Sequence, residues 1–181
     1  MPELRSDVHP KDVRRSIRDP SISLLDKRDV KALIQKIRTN KKECIILKIK
    51  DHLLADINTG VVDSVLEALV LNKNCQALYV QNLTKAFGDT QLGALIEILM
   101  KKTIWCLNIG ENYEVSNEGW IYFCDSLPKT SVTHLYVSEH VISLELKNRM
   151  RFHIRENRKK HVLHCSPKNI HVIEKCTNMW W

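Results

Sequence analysis

Histidine and cysteine crowd the C-terminal end of the chain: His153, His161, His164, Cys165, His171 and Cys176. Imidazole nitrogens and thiolates are the ligands of tetrahedral zinc, which takes four of them. The spacings His161-x2-His164 and His171-x4-Cys176 permit such a site. Zinc ligands usually come in tighter pairs, however, and no known zinc pattern is matched. Histidines on a solvated helix and buried thiols account for the same residues, so no bound metal is expected. Catalytic patterns are missing as well. The sequence contains no GxSxG, HExxH, GxGxxG or GxxxxGK[ST], the arrangements that expose a nucleophile, hold zinc beside a base, or cradle phosphates. No catalytic residue and no cofactor is expected, and the chain reads as a non-enzyme.

The second chemical feature is a basic run. Lys147, Arg149, Arg151, Arg155, Arg158, Lys159 and Lys160 lie close together, partly offset by Glu145 and Glu156. On a helix, Arg151, Arg155 and Arg158 fall on one stripe at steps of four and three residues. With Lys159 and Lys160 at its end, this stripe is a candidate for gripping phosphates or carboxylates through paired guanidinium contacts. A solvated outer helix face is the plainer reading. No base-stacking aromatic motif accompanies the run, so sequence-specific nucleic-acid reading is not supported.

These residues need elements to position them, and the elements follow a repeat. Four segments share an alternating apolar pattern: Cys44-Ile-Ile-Leu47-Lys-Ile49, Cys75-Gln-Ala-Leu78-Tyr-Val80, Ile104-Trp-Cys-Leu107-Asn-Ile109 and Val132-Thr-His-Leu135-Tyr-Val137. Their starts are 31, 29 and 28 residues apart. Between them, Val62, Val65, Leu66 and Leu69, and then Leu92, Leu95, Ile96 and Leu99, show the spacing of one buried helical face. The segment Gly119–Leu127 places apolar residues four apart. Each unit therefore predicts a strand followed by a helix.

The pattern resembles the leucine-rich repeat family, and the unit length resembles its ribonuclease-inhibitor-like class. The third unit carries the resemblance best. Leu107-Asn-Ile109-Gly-Glu-Asn112 has an asparagine at the ninth place, where the family uses it to cap the turn by bonding to neighbouring backbone. Glu118-Gly119 matches the family's turn into the helix. The other units depart, with His52, Leu83 and His140 at that place. The resemblance implies an α/β leucine-rich-repeat solenoid, a short curved array with a parallel sheet on the concave face and helices outside. It also implies a protein partner bound on the concave face. There the candidates are Lys48, Lys50, Tyr79, Gln81, Asn108, His134, Tyr136 and Ser138, and tyrosine is favoured in interface anchors. An ordinary α/β domain with alternating strands and helices is the alternative fold.

Composition fits this reading. The chain of 181 residues, 44% hydrophobic, holds enough apolar material for one continuous core. A net charge of +7 favours an acidic partner or nucleic acid, although many soluble proteins are as basic without using it. No apolar stretch is long enough to cross a bilayer. Residues 1–19 lack the apolar centre of a secretory signal, and six scattered cysteines suit reduced thiols, so an intracellular protein is expected. Residues 1–23 read as an N-terminal arm, 24–43 as a capping helix with Asp29 as its N-cap, and 44–142 as the repeats. Residues 143–181 read as a C-terminal helix, ending near Asn157, and a capping unit. A solenoid needs such caps because its end units expose an apolar face.

Overall fold

The computed structural model describes residues 30–41, 44, 46–49, 57–137 and 142–161. Helix α1 (Val30–Arg38) is followed by β1 (Ile46–Lys48), α2 (Thr59–Leu71), β2 (Ala77–Tyr79), α3 (Asp89–Lys101), β3 (Cys106–Asn108), α4 (Asn117–Ser126), β4 (His134–Tyr136) and α5 (Leu144–Lys160). The strands form one parallel sheet in the order β1-β2-β3-β4. The molecule is thus mixed α/β, with strands where the alternating segments lie, each trimmed to its central three residues.

The register explains the shared pattern. Leu47 pairs with Leu78, Leu78 with Leu107, and Leu107 with Leu135. These leucines stack across the sheet at successive strand positions. They are fully buried in a core to which every described helix contributes: Leu33 and Ile37, Val65 and Leu69, Leu95 and Leu99, Trp120 and Phe123, Met150 and Ile154. Each helix also packs on the next one along the chain. The described helices therefore line one face of the sheet, because side chains alternate between the two faces of a strand.

Local signals set the helix starts. Side-chain oxygens of Asn58, Ser116 and Ser143 accept hydrogen bonds from the backbone N–H groups of Val61, Gly119 and Leu146, satisfying donors that a helix N-terminus leaves open. Gly119 is required for space: a Cβ there would come within 2.3 Å of Asp89 Oδ1. That same carboxylate accepts a hydrogen bond from Ser116 N at 2.8 Å, so α4 starts tight against the start of α3. Helix α5 runs three residues past the expected Asn157. Its last turn, with Arg158, Lys159 and Lys160, places cations at the negative end of the helix dipole.

Asn112 does what its position implied. It is fully buried. Its side chain accepts from Leu83 N at 3.0 Å and donates to Val80 O at 2.8 Å and Ile109 O at 3.1 Å. One side chain thereby closes the turn after β3 onto the turn after β2. A second buried asparagine works between a helix and the next strand. Asn72, at the end of α2, donates to Ile37 O at 2.7 Å and accepts from Cys75 N at 2.7 Å, tying α1 to the entry of β2. Asp29 and the arm 1–23 lie outside the described residues.

Candidate interaction surfaces

The sheet face turned away from the helices carries a separate, smaller cluster. Ala77, Tyr79, Trp105 and Cys106 form it, with Tyr136 packed against them. Tyr79 and Cys106 face this side because Leu78 and Leu107, their chain neighbours, face the helices. Lys48 Nζ stands over the Tyr79 ring, 5.7 Å from its centroid, in the range where a ring face attracts a cation. The Tyr79 hydroxyl lies 3.9 Å from Cys106 Sγ. The edge of Trp105 meets the His134 ring at 5.2 Å, and its indole N–H donates to Gln76 Oε1 at 3.3 Å. His134 Nδ1 is 2.9 Å from the Thr133 hydroxyl. At the exit end of the strands a chain of amides continues the cluster. Asn108 donates to Gln81 Oε1 at 2.8 Å, and Gln81 donates to Glu111 Oε1 at 2.9 Å.

The expected concave residues meet here, but not as an open surface. Lys48, Tyr79, Asn108 and His134 are buried, and Gln81 and Tyr136 are partly buried. Lys50 and Ser138 lie outside the described residues. The pattern of alternation does not single out Trp105, although it fills much of the cluster. It sits one position before β3, where the backbone N–H and C=O already bond to neighbouring segments through Gln76 O and Thr133 N. An aromatic flanking a strand, in a unit whose neighbours have Gln76 and Thr133 there, was the available signal.

Burial also decides the chemistry of the thiols. It pushes Cys106 up to about 12, with the Tyr79 hydroxyl opposing. It pushes Cys124 up to about 11, against the pull of Arg149, and it raises Cys75 still further. These cysteines are protonated at neutral pH and are poor nucleophiles. Among the described residues, no three metal-ligating side chains come together. His164, Cys165, His171 and Cys176 lie outside them.

The second surface is the outer side of α5. Here the expected stripe is displaced. Arg155 is exposed, but Arg151 and Arg158 are partly buried. Arg158 Nε donates to Thr133 O at 2.8 Å, so this arginine is an internal partner of the strand edge. The cause lies next to it: Asn157 is fully buried and donates to Leu127 O and Val132 O, both at 2.9 Å. With Leu146, Met150, Ile154 and Asn157 turned inward, Phe152, Arg155 and Lys159 point outward, at steps of three and four residues. The true stripe is therefore one residue, about 100° of helix, away from the expected one for two of its three members.

Phe152 is 59% exposed and Tyr122, on α4, is 54% exposed. Between α4 and α5 lies a shallow hollow lined by Asp125, Glu145, Asn148, Arg149, Phe152 and His153, and Arg149 and Asp125 form an ion pair in it. The His153 ring packs edge-on against Phe152 at 5.6 Å. Partial burial, and then Arg149, hold its pKa below the ordinary histidine value, with Asp125 opposing. Among the described residues, no helix is long and apolar enough to cross a membrane.

The chain is similar in fold to two solved structures. One is the tropomodulin C-terminal domain of Caenorhabditis elegans, at 13% identity and a TM-score of 0.50, covering 75% of this chain and 96% of that one. The other is leiomodin-1 actin-binding site 2, at 10% identity and a TM-score of 0.55, covering 80% of this chain and 95% of that one. No protein-family model matches the chain, and no curated protein matches it in sequence. These neighbours overturn the assignment to the ribonuclease-inhibitor-like class. Unit length suggested that class, but a period near 28 residues is not specific to it.

Proposed function

We propose that this domain is a non-enzymatic, intracellular protein-binding module whose partner docks on the outer side of α5. The observation that carries the reading is the contrast in access. Phe152, Arg155, Lys159 and Lys160 are exposed along one side of α5, while the candidate residues on the sheet are buried or partly buried. An aromatic ring beside a row of cations suits a protein surface that pairs an apolar notch with carboxylates. Such a ring supplies contact area, and the cations steer approach and set register. The serial strand-helix units support a short leucine-rich-repeat solenoid, with α1 capping its first unit and α5 its last. Within the described residues, α1 falls in the expected cap 24–43, β1 to β4 in the expected repeats 44–142 and α5 in the expected C-terminal unit 143–181.

The leiomodin-1 domain is named for actin binding, which makes actin the first partner to test. The full chain should co-sediment with actin filaments. The variant Phe152→Ala/Arg155→Glu/Lys159→Glu should bind at least about tenfold more weakly, with binding falling as salt rises, because exposed charge pairs are screened. Equal binding by the variant would remove α5 as the site. No binding by either chain would remove actin as the partner.

A further inference from the structure

Along α5 the exposed side chains change character in order. Glu145 comes first, then Asn148, Phe152, Arg155 and Lys159, all of them exposed. Glu145, Phe152 and Lys159 are spaced by seven residues, close to two helical turns, so they lie on one line along the helix. The acidic end is reinforced from α4, whose Asp125 lines the same hollow as Glu145 and Phe152. Tyr122, one turn before Asp125, adds a second exposed ring beside it. This side of the molecule is thus acidic at one end, aromatic in the middle and basic at the other end. A surface with that order is the complement of itself turned through half a circle.

We infer that this side of α5 docks on the same side of a second copy of the chain, the two helices antiparallel about a two-fold axis at Phe152, with Glu145 of each copy against Lys159 of the other. The inference rests on the reading that α5 is a docking side, and it names an occupant that competes there with any other partner. Two-fold pairing of this kind uses one patch twice and is the commonest form of self-association.

Charge selects both the occupant and its direction. Among the described residues, neither Glu145 nor Arg155 has an ion partner within its own copy. Lys159 is paired only with Glu156, on the exposed surface, where such a pair contributes little and can be exchanged. Arg155 of the second copy comes against the turn at Asn148 and Arg149. The Asp125 carboxylate, already bonded to Arg149 there, has lone pairs left for a second guanidinium. The two Phe152 rings meet at the axis, where aromatic pairs attract in offset or edge-on contact. A parallel pairing would instead set Glu145 on Glu145 and Lys159 on Lys159. The net charge of +7 opposes any contact between copies that is not matched charge for charge. One helix from each copy, with α4 beside it, makes a small contact, so the dimer is of the weak, transient class.

Sedimentation velocity of the full chain tests this, from about 10 μM to about 1 mM to cover weak affinities. It should show a monomer–dimer equilibrium that added salt shifts towards monomer. Glu145→Lys and Lys159→Glu should each weaken the dimer at least about tenfold, because each sets like charges opposite one another at both ends of the pair. Glu145→Lys/Lys159→Glu should restore it to within about threefold of the wild type, since the charges then match again. The two positions lie ~21 Å apart along one helix, so they can compensate only across two copies. All these sites are exposed, and the variants should keep wild-type stability. A full chain that stays monomeric throughout would overturn the inference. So would a dimer that neither single substitution weakens, or a loss that the double substitution does not repair. Each of these leaves the docking reading itself to the co-sedimentation of the Phe152→Ala/Arg155→Glu/Lys159→Glu variant, which can succeed where self-pairing fails.

Discussion

The inner sheet face and the outer side of α5 begin alike in the sequence: each offers aromatic and basic side chains at regular spacing. They end as opposites. On the sheet, Lys48, Tyr79 and His134 are drawn into a closed cluster around Trp105 and Cys106. On α5, Phe152, Arg155 and Lys159 stay in water. The difference lies in what each element has at its back. The strands are three residues long, and their described side chains are buried on either face, with Tyr136 alone among them partly exposed. The helix is anchored along one side by Leu146, Met150, Ile154 and Asn157 and leaves its other side free. A regular pattern of side chains can therefore mark a binding surface or a second core, and burial alone separates the two.

Substitutions sharpen the contrast, and the largest effects should fall on the sheet. Trp105→Ala should cost about 3–5 kcal/mol and Leu107→Ala about 2–5 kcal/mol, the ranges for buried aromatic and leucine side chains. Urea unfolding reads both. A loss below about 0.5 kcal/mol for Trp105→Ala, the surface value, would make the second cluster a surface. Next comes the turn that joins β2 and β3. Asn112→Ala leaves the Leu83 N–H and the Val80 carbonyl without their partner, at a cost of about 1–3 kcal/mol. Wild-type stability in that variant would show that the turn closes without it.

On α5 the same chemistry should scarcely register. Phe152→Ala and Arg155→Glu should each change stability by less than about 0.5 kcal/mol, since exposed charges contribute little. A drop of several times that size would place them inside the cap. The smallest effect should come from His153. Its folded-state pKa is depressed, so between that value and the ordinary histidine value of about 6.5 the unfolded chain binds more protons. Stability should fall slightly as pH drops through this window, and His153→Gln should flatten the slope. An unchanged slope would assign the pH dependence to other groups.

The parallel sheet, the buried leucine ladder and the helix faces were legible because each strand and helix repeats its apolar spacing. Asn112 was legible through the resemblance, since it stands at the place where the leucine-rich repeat family caps its turn. Three things were not. The class of the repeat was misread, since unit length does not distinguish relatives that share a strand-helix unit. The partial burial of Arg158 was missed, because Asn157 beside it looks like an exposed polar side chain until its amide is seen bridging Leu127 O and Val132 O. The closure of the sheet face was missed because alternation tells which side a residue faces and is silent on what covers that side.

The contrast between the two surfaces can be read in one experiment: brief treatment of the folded full chain with an amine-reactive reagent, mapped lysine by lysine by mass spectrometry. Lys159 and Lys160 should react fully while Lys48 stays unmodified, and a bound protein partner should protect Lys159 and Lys160 without altering Lys48. A Lys48 that reacts as readily as Lys159, or a partner that shields the sheet and leaves α5 reactive, would contradict the account.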